Sequence, residues 1–158
     1  MRKELDEQLC EKYPLIFRDR HADPRKTCMY WGFECGDGWY NIIDALCANI
    51  QGHIDNRLEA IERTRKWNAN VNDPDYEWTA IVERKERPVP EPVEQVVAIQ
   101  VKEKFGGLRF YYMGGDEYIR GLENMAESMS YRTCEVCGAP AATAAEDKRI
   151  RTLCEQHR

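Results

Sequence analysis

Serine is nearly missing from this 158-residue chain: Ser128 and Ser130 are the only two, and histidine occurs only three times. A Ser–His hydrolase has little to be built from. Long apolar runs are missing as well. The mean hydropathy is -0.71, and no segment offers the roughly 20 consecutive apolar residues of a membrane-spanning helix. Positive charge is not in excess, since 23 Lys and Arg stand against 28 Asp and Glu for a net charge of -5. That weighs against general coating of nucleic acid, where affinity comes from neutralising phosphates. Internal repeats, low-complexity tracts, a P-loop and a dinucleotide fingerprint are all lacking. The charged start, Met1 to Glu7, has no apolar stretch of an export signal and reads as a helix. Seven cysteines without such a signal point to a reducing cytosol, with thiols as metal ligands or buried groups and not as disulfides.

What the chain does have is a ligand pattern. Cys134-Glu135-Val136-Cys137 is followed, sixteen residues on, by Cys154-Glu155-Gln156-His157. Each half sets two soft ligands at the ends of a tight turn. Three thiolates and one imidazole suit a structural zinc ion, and four protein ligands leave no open position for water or substrate. A segment with so few large apolar residues needs such a staple, because metal binding supplies folding energy that a tiny core cannot.

Hydrophobic periodicity supplies the rest of the fold. Residues 2–12 predict a short helix, followed by an apolar patch from Tyr13 to Phe17. Trp39, Ile42, Ile43, Leu46, Ile50, Ile54, Leu58 and Ile61 recur at three- and four-residue steps and predict one long amphipathic helix from about Gly38 to about Arg65, with Asp37 as its N-cap. Residues 64–95 lose the pattern and are rich in Asn and Pro, a loop or insertion with a short strand at Glu77–Val82. Residues 96–101 and 108–113 predict a β-hairpin around Gly106-Gly107. Asp116 then caps a second helix whose apolar stripe is Ile119, Leu122, Met125, Ala126 and Met129. The expected architecture is α+β: a long helix on a small antiparallel sheet, a second helix, and a C-terminal zinc-ribbon-like module, divided as a core of residues 1–132 and a zinc-binding module of residues 133–158.

With Gly106 and Gly107 as the loop, Lys104 faces Arg109 and Lys102 faces Tyr111. Val97, Ile99, Val101, Phe105, Leu108, Phe110 and Tyr112 then form a core face, with Glu103 as its misfit, and Lys102, Lys104, Arg109 and Tyr111 form the other. Like charges facing each other destabilise a strand pair, so an anion or an acidic partner would relieve them; a solvated face with a nearby carboxylate would do so too. On the first reading, Lys104→Glu with Arg109→Glu abolishes binding and leaves the fold intact. A second anion candidate is the turn Gly36-Asp37-Gly38-Trp39 at the start of the long helix, whose free N–H groups favour anions. Cys10, Cys28, Cys35 and Cys47, with His21 and His53, could hold a second metal, but their spacings match no standard knuckle and buried thiols are the default. A Cys–His nucleophile such as Cys35 with His53 has only its residue types in its favour. The basic run Lys148, Arg149, Arg151 offers a nucleic-acid contact.

Three blocks, Gly32-Phe-Glu-Cys-Gly-Asp-Gly-Trp39, Val101-Lys-Glu-Lys-Phe-Gly-Gly-Leu-Arg-Phe-Tyr111 and Thr133-Cys-Glu-Val-Cys-Gly138 with the final Cys-x2-His, resemble a family of small proteins of bacteriophages and prophages. The likeness covers roughly residues 8–60 and 95–158. It implies a setting in the cytoplasm of a bacterial host and no particular activity. The expectation is a non-enzymatic accessory protein with structural Zn2+ that binds a host protein or an anionic small molecule such as a nucleotide, as an inhibitor of host antiviral defence. The alternatives are a nucleic-acid-binding zinc protein and a nucleotide hydrolase or nuclease without a recognised motif.

Overall fold

The computed structural model describes residues 1–75, 85–146 and 149–158, and the strand expected at Glu77–Val82 lies outside them. The architecture is α+β. Helix α1 (Lys3–Lys12) is followed by a 3-10 turn at Cys28–Trp31, strand β1 (Phe33–Glu34) and a second 3-10 turn at Asp37–Trp39. Helix α2 (Tyr40–Val71) comes next, then β2 (Val97–Lys104), β3 (Gly107–Met113), helix α3 (Glu117–Ser130), β4 (Ala142–Glu146) and β5 (Arg149–Leu153).

The periodic apolar positions of α2 become the spine of the core. Trp39, Ile43, Cys47 and Ile50 are fully buried, and Ile42, Leu46 and Ile54 nearly so. Helix α2 runs six residues beyond Arg65, to Val71, and Leu58 is already half exposed, so this end of the helix leaves the main core. There another segment lies along it: the Asn68 side-chain amide donates to the Arg87 carbonyl and accepts the Arg87 N–H, and the Arg87 guanidinium covers the Trp67 ring at 4.0 Å. At the other end α1 is tied to α2 by Lys12–Asp44 at 2.7 Å and by the Tyr13 hydroxyl on Asp44. The Asp6–Arg20 pair at 2.8 Å anchors the chain between α1 and β1.

The three-stranded sheet has the order β1-β2-β3, with β1 parallel to β2 and β3 antiparallel to it. A bulge sets Ile99 outside the ladder, between the pairs Ala98–Tyr112 and Gln100–Tyr111. Ala98 is therefore buried and Ile99 only half so, which breaks the simple alternation expected from Val97 to Val101.

The hairpin register also departs from expectation. Lys104 pairs with Gly107, Glu103 with Leu108, Lys102 with Arg109 and Val101 with Phe110, so the two loop residues are Phe105 and Gly106. Both have positive φ, +54° and +77°, as the right-handed strand twist requires of a tight hairpin. Gly107 is a packing glycine and not a turn glycine: a Cβ there would lie 2.4 Å from the Tyr131 ring. Phe105 consequently leaves the core face and stands exposed, while Glu103, the apparent misfit, accepts the Gly106 N–H at 2.6 Å.

Helix α3 is capped as expected, the Asp116 carboxylate accepting the Ile119 N–H at 3.1 Å. Its buried stripe is Ile119, Ala126 and Ser130; Met125 and Met129 flank it, half exposed, along the groove between α2 and α3. At the chain end β4 and β5 form a second antiparallel hairpin. It seats on the tip of the first, since the Thr152 hydroxyl donates to the Gly106 carbonyl at 2.5 Å and contacts the Thr143 hydroxyl at 2.7 Å. Among the described residues, no helix is long and apolar enough to cross a membrane.

Candidate metal centre

The two halves of the ligand pattern come from different local structures. The first is a knuckle after α3: Cys134 N–H donates to the Ala139 carbonyl, and Gly138 N–H returns to the Cys134 carbonyl, both at 2.8 Å. Gly138 sits at φ +80°, the left-handed position that closes such a turn. The second is the turn after β5, where His157 N–H donates to the Cys154 carbonyl at 3.0 Å. A hydrogen bond from Glu135 N–H to the Thr152 carbonyl draws the two together.

The result is one cluster. The sulfurs of Cys134, Cys137 and Cys154 and Nδ1 of His157 all lie within 4.8 Å of one another. Cys137 Sγ is 3.7 Å from Cys154 Sγ, and His157 Nδ1 is 3.6 Å from Cys134 Sγ and 3.1 Å from Cys154 Sγ. A tetrahedral ion with metal–sulfur bonds near 2.3 Å and metal–nitrogen bonds near 2.0 Å sets S···S at about 3.8 Å and S···N at about 3.5 Å. Two of these distances match those values, the third is shorter, and the cluster as a whole is consistent with a metal site. Cys134 is fully buried. Burial opposes its ionisation, but the backbone N–H groups of Cys154, Cys137 and Val136 point at the sulfur and bring the thiol down to about 6. A thiolate favoured at neutral pH is what a metal ligand requires.

The turn Gly36-Asp37-Gly38-Trp39 packs on this knuckle. Gly36 N–H donates to the Glu135 carboxylate at 3.0 Å, Gly38 N–H to the Glu135 carbonyl at 2.8 Å, and the Trp39 indole to the Thr133 carbonyl at 2.8 Å. A Cβ on Gly38 would lie 2.1 Å from the Cys134 carbonyl oxygen and 2.4 Å from the Gly138 nitrogen. The N–H groups expected to invite an anion are thus directed at the metal knuckle. Asp37 does not cap α2; its carboxylate takes the Arg2 N–H at 2.7 Å and the Arg2 side chain at 2.5 Å. Nothing in the linear pattern announces this docking beyond two glycines one residue apart.

On the basic face of the hairpin, Arg109 is satisfied from within the chain. Lys102, not Lys104, faces Arg109. Arg109 pairs with Glu127 at 2.7 Å and donates to the Tyr131 hydroxyl at 2.9 Å. Lys102 lies over the Tyr111 ring at 5.6 Å and Lys104 over Phe105 at 5.4 Å. A carboxylate of α3 therefore relieves the repulsion between Lys102 and Arg109. An Arg109→Glu change would set two carboxylates against each other, so the double reversal with Lys104 is not silent for the fold.

Among the described residues, the C-terminal cluster is the only group of three or more Cys, His, Asp or Glu side chains placed to hold a metal. Burial pushes the thiols of Cys10 and Cys35 up to about 12 and that of Cys47 well above its ordinary value. Cys28 and His21 are exposed. His53 pairs with Asp116 at 2.8 Å and stacks on Tyr118, and it lies about 20 Å along α2 from the Cys35 end at 1.5 Å per residue. Cys35 and His53 thus form no nucleophile–base pair. Of the basic run, Arg149 and Arg151 are exposed on β5, and Lys148 falls outside the described residues.

No protein-family model, no curated protein and no solved structure matches this chain.

Proposed function

We propose that Cys134, Cys137, Cys154 and His157 hold Zn2+ as a structural ion, and that the chain is a binding protein whose recognition surface this ion keeps in shape. The observation that carries the reading is the closure of the site. Four clustered protein donors would leave no place for water or substrate on a tetrahedral ion, and the knuckle that bears two of them is bonded to the turn before the core helix. Zinc is favoured over the other first-row metals by the Cys3His donor set, which matches its tetrahedral, non-redox structural sites. The resemblance of the three sequence blocks to small phage and prophage proteins supplies a setting. In that setting the reading is a protein of a bacterial host cytoplasm, with a host protein or an anionic small molecule as its proposed partner and host antiviral defence as the process it would oppose.

Native mass spectrometry of the full chain, purified gently from a bacterial host and repeated after denaturation, tests this. An excess mass of one zinc supports the structural ion. A further small adduct released on denaturation identifies an anionic ligand, while zinc alone directs the search to proteins. A folded, metal-free chain refutes the reading.

A further inference from the structure

The hairpin requires positive φ at residue 105, but nothing in the fold requires that the residue there be a phenylalanine. Its φ is +54°, the left-handed region in which a bulky side chain costs roughly 1–2 kcal/mol and where Asn or Gly is usual. Burial does not offset that cost, because Phe105 is 62% exposed. An unfavourable backbone and an exposed aromatic ring at one position point to a role outside the fold.

Its surroundings say what the role is. Phe105 shares an open cleft of about 670 Å³ with Lys104, Arg149, Ile150 and Arg151, and with Glu103 and Glu135 at its floor. Ile150 is 43% exposed, a second apolar side chain beside the first. Both floor carboxylates are engaged, Glu103 by the Gly106 N–H at 2.6 Å and Glu135 by the Gly36 N–H at 3.0 Å. Lys104, Arg149 and Arg151 outnumber the two carboxylates, and two apolar side chains stand beside them. The walls are held in place by the Thr152–Gly106 bond and by the metal knuckle, so little ordering has to accompany binding.

We propose that this cleft docks a protein segment that carries a large apolar side chain flanked by carboxylates, with Phe105 and Ile150 as the anchor and Lys104, Arg149 and Arg151 as the charged rim. The proposal rests on the reading of the chain as a binding protein and names the chemistry of its partner. An aromatic anchor with arginines beside it is a common composition of energetically important interface positions. A nucleic-acid strand fits less well. The chain carries a net charge of -5, two carboxylates line the floor, and Ile150 has no ring on which a base could stack.

The test uses the full zinc-loaded chain. A displayed library of random twelve-residue peptides is selected on the wild type and counter-selected on Phe105→Gly, and the enriched peptides and a twelve-residue oligo-dT are titrated by fluorescence anisotropy. The expected result is a consensus of a Leu or aromatic residue among Asp and Glu, with affinity at least tenfold weaker for Phe105→Gly and for Arg149→Glu with Arg151→Glu. Phe105→Gly should melt at the same or a higher temperature than the wild type, since glycine adopts positive φ freely. Oligo-dT binding in place of peptide binding, a consensus without acidic residues, or no selection that depends on Phe105 would each overturn the proposal. If the chain still carries its zinc in that case, the structural-ion reading stands and only the docking surface falls.

Discussion

The backbone N–H of Gly38 donates a 2.8 Å hydrogen bond to the carbonyl oxygen of Glu135, so the 3-10 turn that leads into the core helix and the first Cys-x2-Cys knuckle meet backbone to backbone. The Cys/His cluster and the core are therefore joined directly, and binding of a metal by that cluster would be linked to folding of the core. The Trp39 indole, fully buried and bonded to the Thr133 carbonyl, makes the same connection through a side chain.

Removing the metal should weaken the whole chain and not only its last residues. With free zinc at about a thousand times its Kd, the bound ion contributes about 4 kcal/mol, which corresponds to roughly 8–16 °C in melting temperature for a chain of this size. Calorimetry with and without a chelator, and on Cys154→Ser, measures this directly. A separate early transition for the C-terminal hairpin, with an unshifted main transition, would contradict the link.

Gly38→Ala should cost about 3 kcal/mol, because the new methyl would lie 2.1 Å from the Cys134 carbonyl and backbone has to move. The same change at Gly52, in mid-helix with nothing within 4 Å of the added carbon, should stabilise by about 0.5–1 kcal/mol. Denaturant titration of the pair checks both signs, and metal content should fall only in Gly38→Ala.

The elements with strong local signals were legible in the sequence. The apolar steps of α2 and the Asp116 cap each depend on residues close in the chain, and the structure places them as their spacing implies, while the two Cys/His pairs come together in one cluster that could hold a metal. What was not legible depended on close approach between distant segments. Gly107 is required by the Tyr131 ring and Gly38 by the knuckle, so the glycines that looked like a turn and an anion cradle serve packing. That shift in the role of Gly107 moved the hairpin by one residue and turned Phe105 outward. Glu127, which neutralises Arg109, could not be assigned to it from spacing, as the two residues sit on different elements.

Arg109 and Lys102 stand opposite each other on the hairpin but should behave differently. Arg109 is largely buried against Glu127 and Tyr131, so Arg109→Ala leaves a carboxylate without its partner and should cost roughly 1–3 kcal/mol. Lys102→Ala should change stability by less than about 0.5 kcal/mol, since Lys102 is only partly buried and its contact is with the Tyr111 ring. Equal effects for the two variants would mean that the pair with Glu127 is not formed in solution.

The cap of α3 gives a pH dependence. Burial alone would raise the Asp116 carboxyl, but the hydrogen bonds from His53 and from the α3 N–H groups outweigh it and hold the group below its ordinary value of 3.8. A carboxyl depressed in the folded state contributes stability that is present above the unfolded value and is lost as pH falls through the folded one. Asp116→Asn should therefore narrow the stability difference between pH 6 and acid, and Asp116→Ala should cost about 1 kcal/mol near pH 7 as a lost cap. An unchanged acid limb in Asp116→Asn would remove the carboxylate from the explanation.

The most direct measurement is X-ray absorption at the zinc edge on the full chain, purified with no metal added. The expected result is one zinc per chain with three sulfur neighbours near 2.3 Å and one nitrogen near 2.0 Å. A folded chain without zinc, or a first shell with fewer than three sulfurs and added oxygen, would contradict a closed Cys3His structural centre.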